Sequence, residues 1–146
     1  MGTSYESDVI LWSQEQAQLL RSGQWSRLDI EHLADEIEDV GKSEKRELES
    51  RLSVLMAHLL KWQYQPEKRA SGSSWQMTIR EQRKRVEAAL RETPSLKATM
   101  RDPEWLAGAW SDALLIAARE TGLEIFPEQN PWSMEQVLSP GWLPSA

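Results

Sequence analysis

Apolar residues recur along this chain at spacings of three, four and seven, and no stretch sustains the alternation of a half-buried strand, so the pattern predicts helices and no sheet. A first helix is expected over about 5–22, with Val9, Trp12, Leu19 and Leu20 broadly on one side. Gly23 then supplies the left-handed position that ends it. Asp29 reads as the N-cap of a longer element carrying Ile30, Leu33, Ala34, Ile37 and Val40, then Leu48, Leu52, Leu55, Leu59 and Trp62. Between the two sets, Gly41 could end one helix and Ser43 start another. Ala34, Gly41, Leu48, Leu55 and Trp62 are each seven apart, however, and a turn would lose that register. The spacing therefore favours one long helix, roughly 29–64, in which Gly41 admits a close neighbour at a cost of about 1 kcal/mol relative to Ala.

Pro66 and the stretch 67–73 form the clearest loop, and Ser73 or Ser74 can cap a helix running to about 92 with Trp75, Ile79, Val86, Ala89 and Leu90 inward. Thr93 is expected to cap a short turn begun by Pro94. Asp102 followed by Pro103 is a strong helix start, because Asp accepts amide bonds where Pro needs no donor. That helix carries Trp105, Leu106, Ala109, Ala113, Ile116 and Ala117, and ends at Gly122. After an extended connector over 123–131, Ser133 and Gln136 make a capping box, Trp132 and Val137 its hydrophobic staple, and a short helix precedes a Pro/Gly tail. The expected architecture is a single all-α domain over 1–146. It is a compact bundle of four main helices plus a short C-terminal one, organised around the long helix. A seven-residue seam can pair with a second copy as readily as with helices of its own chain, which leaves a homodimer open.

Charge changes this picture more than composition does. The net charge of −6 over 146 residues hides three zones. Residues 1–50 carry 12 acidic and 5 basic side chains, residues 51–101 carry 4 and 11, and residues 102–146 carry 7 and one. A basic middle between acidic arms reads either as a patch for phosphate, nucleic acid or an acidic partner, or as acidic and basic helices facing each other. The acidic total lowers general affinity for a polyanion, which favours the second reading. Zero cysteines exclude disulfides and thiolate chemistry. No apolar run reaches the length of a membrane span, and the early run 9–12 is too short for a signal peptide and follows acidic residues, so a cytoplasmic protein is expected.

Candidate chemistry gathers low on the long helix. One heptad column reads Ile30, Ile37, Glu44, Arg51, His58, Gln65, apolar twice and then polar four times. Lys61 and Trp62 flank its lower end, Lys68 and Arg69 follow in the loop, and Trp75, Thr78, Gln82 and Arg83 open the next helix. The column is a ridge beside the core, but if that helix folds back antiparallel, Trp75, Thr78, Gln82 and Arg83 converge near His58, Lys61 and Gln65. The candidate binding residues are Arg51, His58, Lys61, Trp62, Gln65, Arg69, Trp75, Gln82 and Arg83. Such a corner offers donors for an anion, an aromatic platform and one group titrating near neutrality. The competing reading is a polar network fixing helix register, with Arg51 or Arg83 paired to Glu44 or Glu47. Asp29, His32 and Glu36 share a helical face, but a dimetal bundle needs paired Glu-x-x-His motifs from several helices, so no metal site is expected. The run 80–85 (REQRKR) is more simply a solvated face than a phosphate contact. No G-x-S-x-G, phosphate loop or G-x-G-x-x-G is present, and no cofactor is expected.

The ordered series Tyr5-Glu6-x-Asp8-x-x-x-Trp12, Gln16, Leu20-Arg21-x-Gly23 and Asp29-x-x-x-Leu33-Ala34-x-Glu36-Ile37-Glu38-x-x-Gly41 is distinctive. It continues through Ser50-Arg51-Leu52, His58-Leu59-Leu60-Lys61-Trp62-x-x-Gln65-Pro66, Arg69, Ser74-Trp75, Thr78-Ile79, Gln82-Arg83 and Phe126-Pro127-Glu128-x-Asn130-Pro131-Trp132. Over nearly its whole length the chain resembles the bacterial domain-of-unknown-function family 29. The resemblance implies a compact, mainly helical bacterial protein without an established activity. The family's motif residues include Glu36, Arg51, His58, Lys61, Gln65, Arg69, Trp75 and Arg83, overlapping the corner reached from spacing.

The leading expectation is a non-enzymatic binding or regulatory protein that recognises an anionic ligand, nucleic acid or a protein partner through that corner. The alternative is a metal-independent nuclease or phosphotransfer enzyme, with His58 as general acid or base and Lys61, Arg69 and Arg83 stabilising phosphate charge. Of the eight tryptophans, Trp12, Trp62, Trp75, Trp105 and Trp110 fall on or beside seams, where large rings fill gaps. Trp25 and Trp142 are expected to clamp a connector and the tail. Only Trp62 and Trp75, which flank the basic loop, are candidate ligand contacts.

Overall fold

A computed structural model describes residues 2–70 and 73–145, and among them the backbone forms helices and connections but no strand. In chain order the helices are α1 (Val9–Arg21), α2 (Ile30–Tyr64), α3 (Ser73–Glu92), α4 (Leu96–Thr99), α5 (Pro103–Thr121) and α6 (Met134–Leu138). The protein is all-α, as the spacing predicts. Helix α2 runs for 35 residues without a break at Gly41, so the register argument holds through the glycine. The close neighbour expected there is not found among the described residues, since a Cβ added at Gly41 would meet nothing within 4 Å.

Local chemistry sets most boundaries. Helix α1 begins later than expected because Asp8 adopts extended geometry and its carboxylate accepts from the Leu11 N–H at 3.0 Å, so the preceding residues form a turn. Gly23, at φ 72, reverses the chain after α1. Asp102 accepts from the Glu104 N–H at 3.0 Å with Pro103 in the first turn, and Gly122 closes α5 at φ 74. Ser133 and Gln136 form the predicted capping box at α6. Thr93 departs from expectation, accepting from the Leu96 N–H through its carbonyl at 2.9 Å. Ser71 and Gly72, in the predicted loop, lie outside the described residues, and Ser73 and Ser74, the expected caps, both fall inside α3 instead of before it.

The described residues form two compact units, Met1–Glu44 and Lys45–Ala146. In the first, α1 turns Trp12, Gln16 and Leu19 inward. The interior they meet is polar and aromatic. The Trp12 indole N–H donates to Asp29 Oδ2 at 3.0 Å, and Gln16 Oε1 accepts from the Asp29 N–H at 2.8 Å. Tyr5 stacks on the His32 ring at 4.3 Å and meets Trp12 edge-on at 4.9 Å. Trp25 is not clamped in this unit as the sequence suggests; it is 62% exposed.

The second unit has an aliphatic core. Leu52, Leu55, Met56, Leu59 and Leu60 of α2 pack with Ile79 of α3, Val137 of α6, and Ala109, Trp110, Ala113 and Ala117 of α5. Three alanines at spacing four give α5 a thin inward stripe that lets α2 come close. Ser53 sits inside this contact, its hydroxyl 2.7 Å from the Glu49 carbonyl and 3.1 Å from the Ala109 carbonyl. Leu48, Val86 and Leu96 extend the core. Trp110, Trp132 and Trp142 meet edge to face at 5.6 and 5.8 Å, which holds the tail as expected of Trp142.

Candidate functional site

Arg51, His58, Lys61 and Trp62 lie on the second half of α2 and Trp75, Gln82 and Arg83 on the first part of α3, while Gln65 directly follows α2 and Arg69 follows the 3-10 turn Pro66–Lys68. Arg69 and Trp62 are brought together. The Arg69 guanidinium carbon lies 4.7 Å from the Trp62 ring centre, and its Nε donates to the Trp62 carbonyl at 2.7 Å. Arg69 Nη2 is buried with no hydrogen-bond partner among the described residues, as are Gln63 Oε1 and Gln82 Oε1. A cation stacked on an indole and tied to a helix-end carbonyl is a rigid unit. Gln65 is buried beside it in sequence, and Trp75 is half-buried.

The other cations turn elsewhere. Lys61 is buried and its ammonium donates to both carboxylate oxygens of Glu120 on α5 at 2.9 Å. Arg83 is also buried, and its guanidinium donates to the Val137 carbonyl at 2.8 Å and the Trp142 carbonyl at 2.6 Å. Burial pushes the Arg83 pKa below its ordinary value. Arg51 pairs with Glu47 one turn back at 2.8 Å, in line with the network reading. His58 Nδ1 lies 2.8 Å from the Val54 carbonyl; a carbonyl only accepts, so Nδ1 carries the proton and neutral His58 keeps a lone pair on Nε2. Burial first, and then the Lys61 charge, hold the His58 pKa below the usual histidine range, against the Val54 bond and Glu120. All four candidate Lys and Arg side chains are thus engaged within the fold, and among the described residues no hydrogen bond or ion pair joins His58 to Arg69 or Arg83.

Open cationic surface lies one turn further along α3. A groove of about 390 Å³ runs between α3 and the tail, floored by Ile79, Leu138 and Leu143 and lined also by Arg83, Arg80, Lys84 and one carboxylate, Glu87, which pairs with Arg91 at 3.9 Å. Arg80 and Lys84 are exposed and form no ion pair or hydrogen bond among the described residues. Their neighbours on the same run differ, since Arg85 pairs with Glu81 at 2.9 Å.

Several residues that shape these sites escape sequence reasoning. Glu120 sits 59 positions from Lys61 and carries no motif of its own. Glu49 and Asp112 meet across α2 and α5 in a cleft that also holds Arg46, Ser50 and Arg119. Burial first, and then the hydrogen bond and charge of Asp112, push the Glu49 carboxyl up. The Asp29, His32 and Glu36 face becomes an internal network. His32 Nδ1 is 2.7 Å from Asp29 Oδ2 and Nε2 is 3.2 Å from Glu6, while the Tyr5 hydroxyl donates to Glu36. The heptad pattern signals the helix face, but not the Tyr5 and Glu6 side chains that meet it.

Among the described residues, no helix is long and apolar enough to cross a membrane. A family model described as domain of unknown function DUF29 matches residues 4–143. No curated protein and no solved structure matches the chain.

Proposed function

The chain belongs to the DUF29 family, and from that premise we propose that it is a binding protein, recognising an anionic partner through the α3 side of the predicted corner. The observation that carries this reading is the groove beside α3, where unpaired Arg80 and Lys84 stand over an apolar floor. Its size falls in the usual range for ligand sites, and an apolar floor with a few charged groups at the edge favours an anion attached to an apolar body. An acidic peptide segment with apolar side chains meets both demands. The wider basic zone of 51–101 would steer such a partner toward this face.

The enzyme alternative asks His58, Lys61, Arg69 and Arg83 to share one phosphate. With Lys61 held by Glu120, and Arg83 by two carbonyls, that reading gains no support from the geometry. The test is anisotropy of labelled acidic apolar peptides, with RNA and DNA oligonucleotides for comparison, titrated against salt. The peptides are expected to bind in a salt-dependent way, and the double variant Arg80→Glu, Lys84→Glu to bind at least about tenfold more weakly. Both positions are exposed, so the fold is expected to survive. Binding that ignores salt or the double variant would remove the proposal, and oligonucleotide binding above that of the peptides would replace the partner class.

A further inference from the structure

The first unit leaves an apolar stripe of α2 uncovered. On the first half of α2, Ile30, Ala34, Ile37 and Gly41 fall at spacings of four, three and four, one stripe of an α-helix, with Val40 on its shoulder. The stripe shares the heptad register of Leu48 and Leu55, which are 1% and 0% exposed. Here the same register is bare. Ile30 is 68% exposed, Ile37 71% and Val40 66%, while Ala34 is exposed and Gly41 has open space over its Cα. The opposite side of this helix segment is already occupied, because Asp29, His32 and Glu36 bind Trp12, Glu6 and Tyr5. Three large aliphatic side chains this exposed on one helix side exceed the scatter of single apolar residues normal on a surface.

Charge identifies what covers it. Glu31 and Glu38 are exposed along one edge of the stripe with Asp35 beyond them, and none of the three makes an ion pair or hydrogen bond among the described residues. A second copy could answer Glu31 only with Lys42 or Lys45 from the far end of the same edge, whereas a partner helix with cations along its length answers Glu31, Asp35 and Glu38 together. We infer that the stripe Ile30–Ile37–Val40 docks an amphipathic helix of another protein whose apolar face is flanked by Lys or Arg. Such a helix would seat i, i+3, i+4 and i+7 anchors beside the isoleucines and set its cations against Glu31 and Glu38. Gly41 leaves room for close helix approach at the end of the stripe.

The test uses the full chain and a synthetic helical peptide about three heptads long, with Leu on one face and Lys flanking it. Calorimetry is expected to give binding that weakens with salt. The Ile37→Asp, Val40→Asp variant should lose at least about tenfold in affinity. The Glu31→Lys, Glu38→Lys variant, with the apolar stripe intact, should show a similar loss and no further salt weakening. All four side chains are exposed, and circular dichroism checks that each variant folds. No binding of the peptide, or binding unaltered by either variant, overturns the inference. So does sedimentation showing a dimer of the unmodified chain that Ile37→Asp dissociates, because the stripe would then belong to a second copy.

Discussion

Lys61 illustrates how a single ammonium group is placed. It is a motif residue on a helix whose neighbours are Leu59, Leu60 and Trp62, and sequence alone offers it as an anion donor. Its partner Glu120 lies on another helix, and nothing in local spacing connects the two. A buried cation held by one carboxylate is sensitive to which partner is removed. Glu120→Gln leaves Lys61 buried without a counter-charge and is expected to cost about 1–3 kcal/mol of stability in urea unfolding. Lys61→Met removes the charge and keeps the stem, so it should stay within about 1 kcal/mol of the parent. An equal loss from both would mean that the pair itself, rather than the orphaned charge, sets the cost. Arg83 was legible as a candidate in the same way, while its acceptors were not: main-chain carbonyls carry no signature in a sequence.

At the scale of elements the sequence is far more informative. The helices α2, α3 and α5 lie close to their expected spans because periodicity, Asp-Pro starts and Gly ends are local signals that tertiary contacts do not override. Helix α1 starts after the expected residue 5 because Asp8 supplies its N-cap, while Ser4 closes a separate turn by accepting from the Ser7 N–H. The helix runs through Gly41 as the seven-residue register predicts, yet the close neighbour expected over that glycine is absent among the described residues. With open space around it and helical geometry on both sides, Gly41→Ala should stabilise the chain by about 0.5–1 kcal/mol, measured as a raised denaturation midpoint with unchanged slope. A loss of stability would reveal a packing demand on that glycine in the isolated chain.

Across the whole molecule, titration separates the two units. The Asp29 hydrogen bond, then the Asp29 and Glu6 charges, hold the His32 pKa above the ordinary range. The folded chain therefore keeps this proton more tightly than the unfolded one. The contribution is full below about pH 6.5 and fades as pH rises through the folded value. Tyr5, pushed up to about 12 by its bond to Glu36, adds loss in the same direction at higher pH. In the other unit His58 is held low, so its contribution is present above about pH 6.5 and is lost as pH falls through the folded value. Glu49, held high beside Asp112, acts in the opposite sense to His58, with loss on raising the pH. Thermal unfolding from pH 5 to 9 should therefore lose its alkaline decline in His32→Gln and part of its acid decline in His58→Gln. Unchanged profiles in both variants would rule out these histidines as the source.

The tether from Arg83 to the tail has a consequence for how this chain can change over generations. Its two acceptors are carbonyls of Val137 and Trp142, which exist whatever side chains those positions bear. Point replacements there leave the acceptors in place, whereas gaining or losing one amino acid between them shifts their spacing out of reach of a single guanidinium. The tether itself therefore depends on the arginine and on the length of the segment, whereas the side chains of Val137 and Trp142 serve the core and the tryptophan cluster.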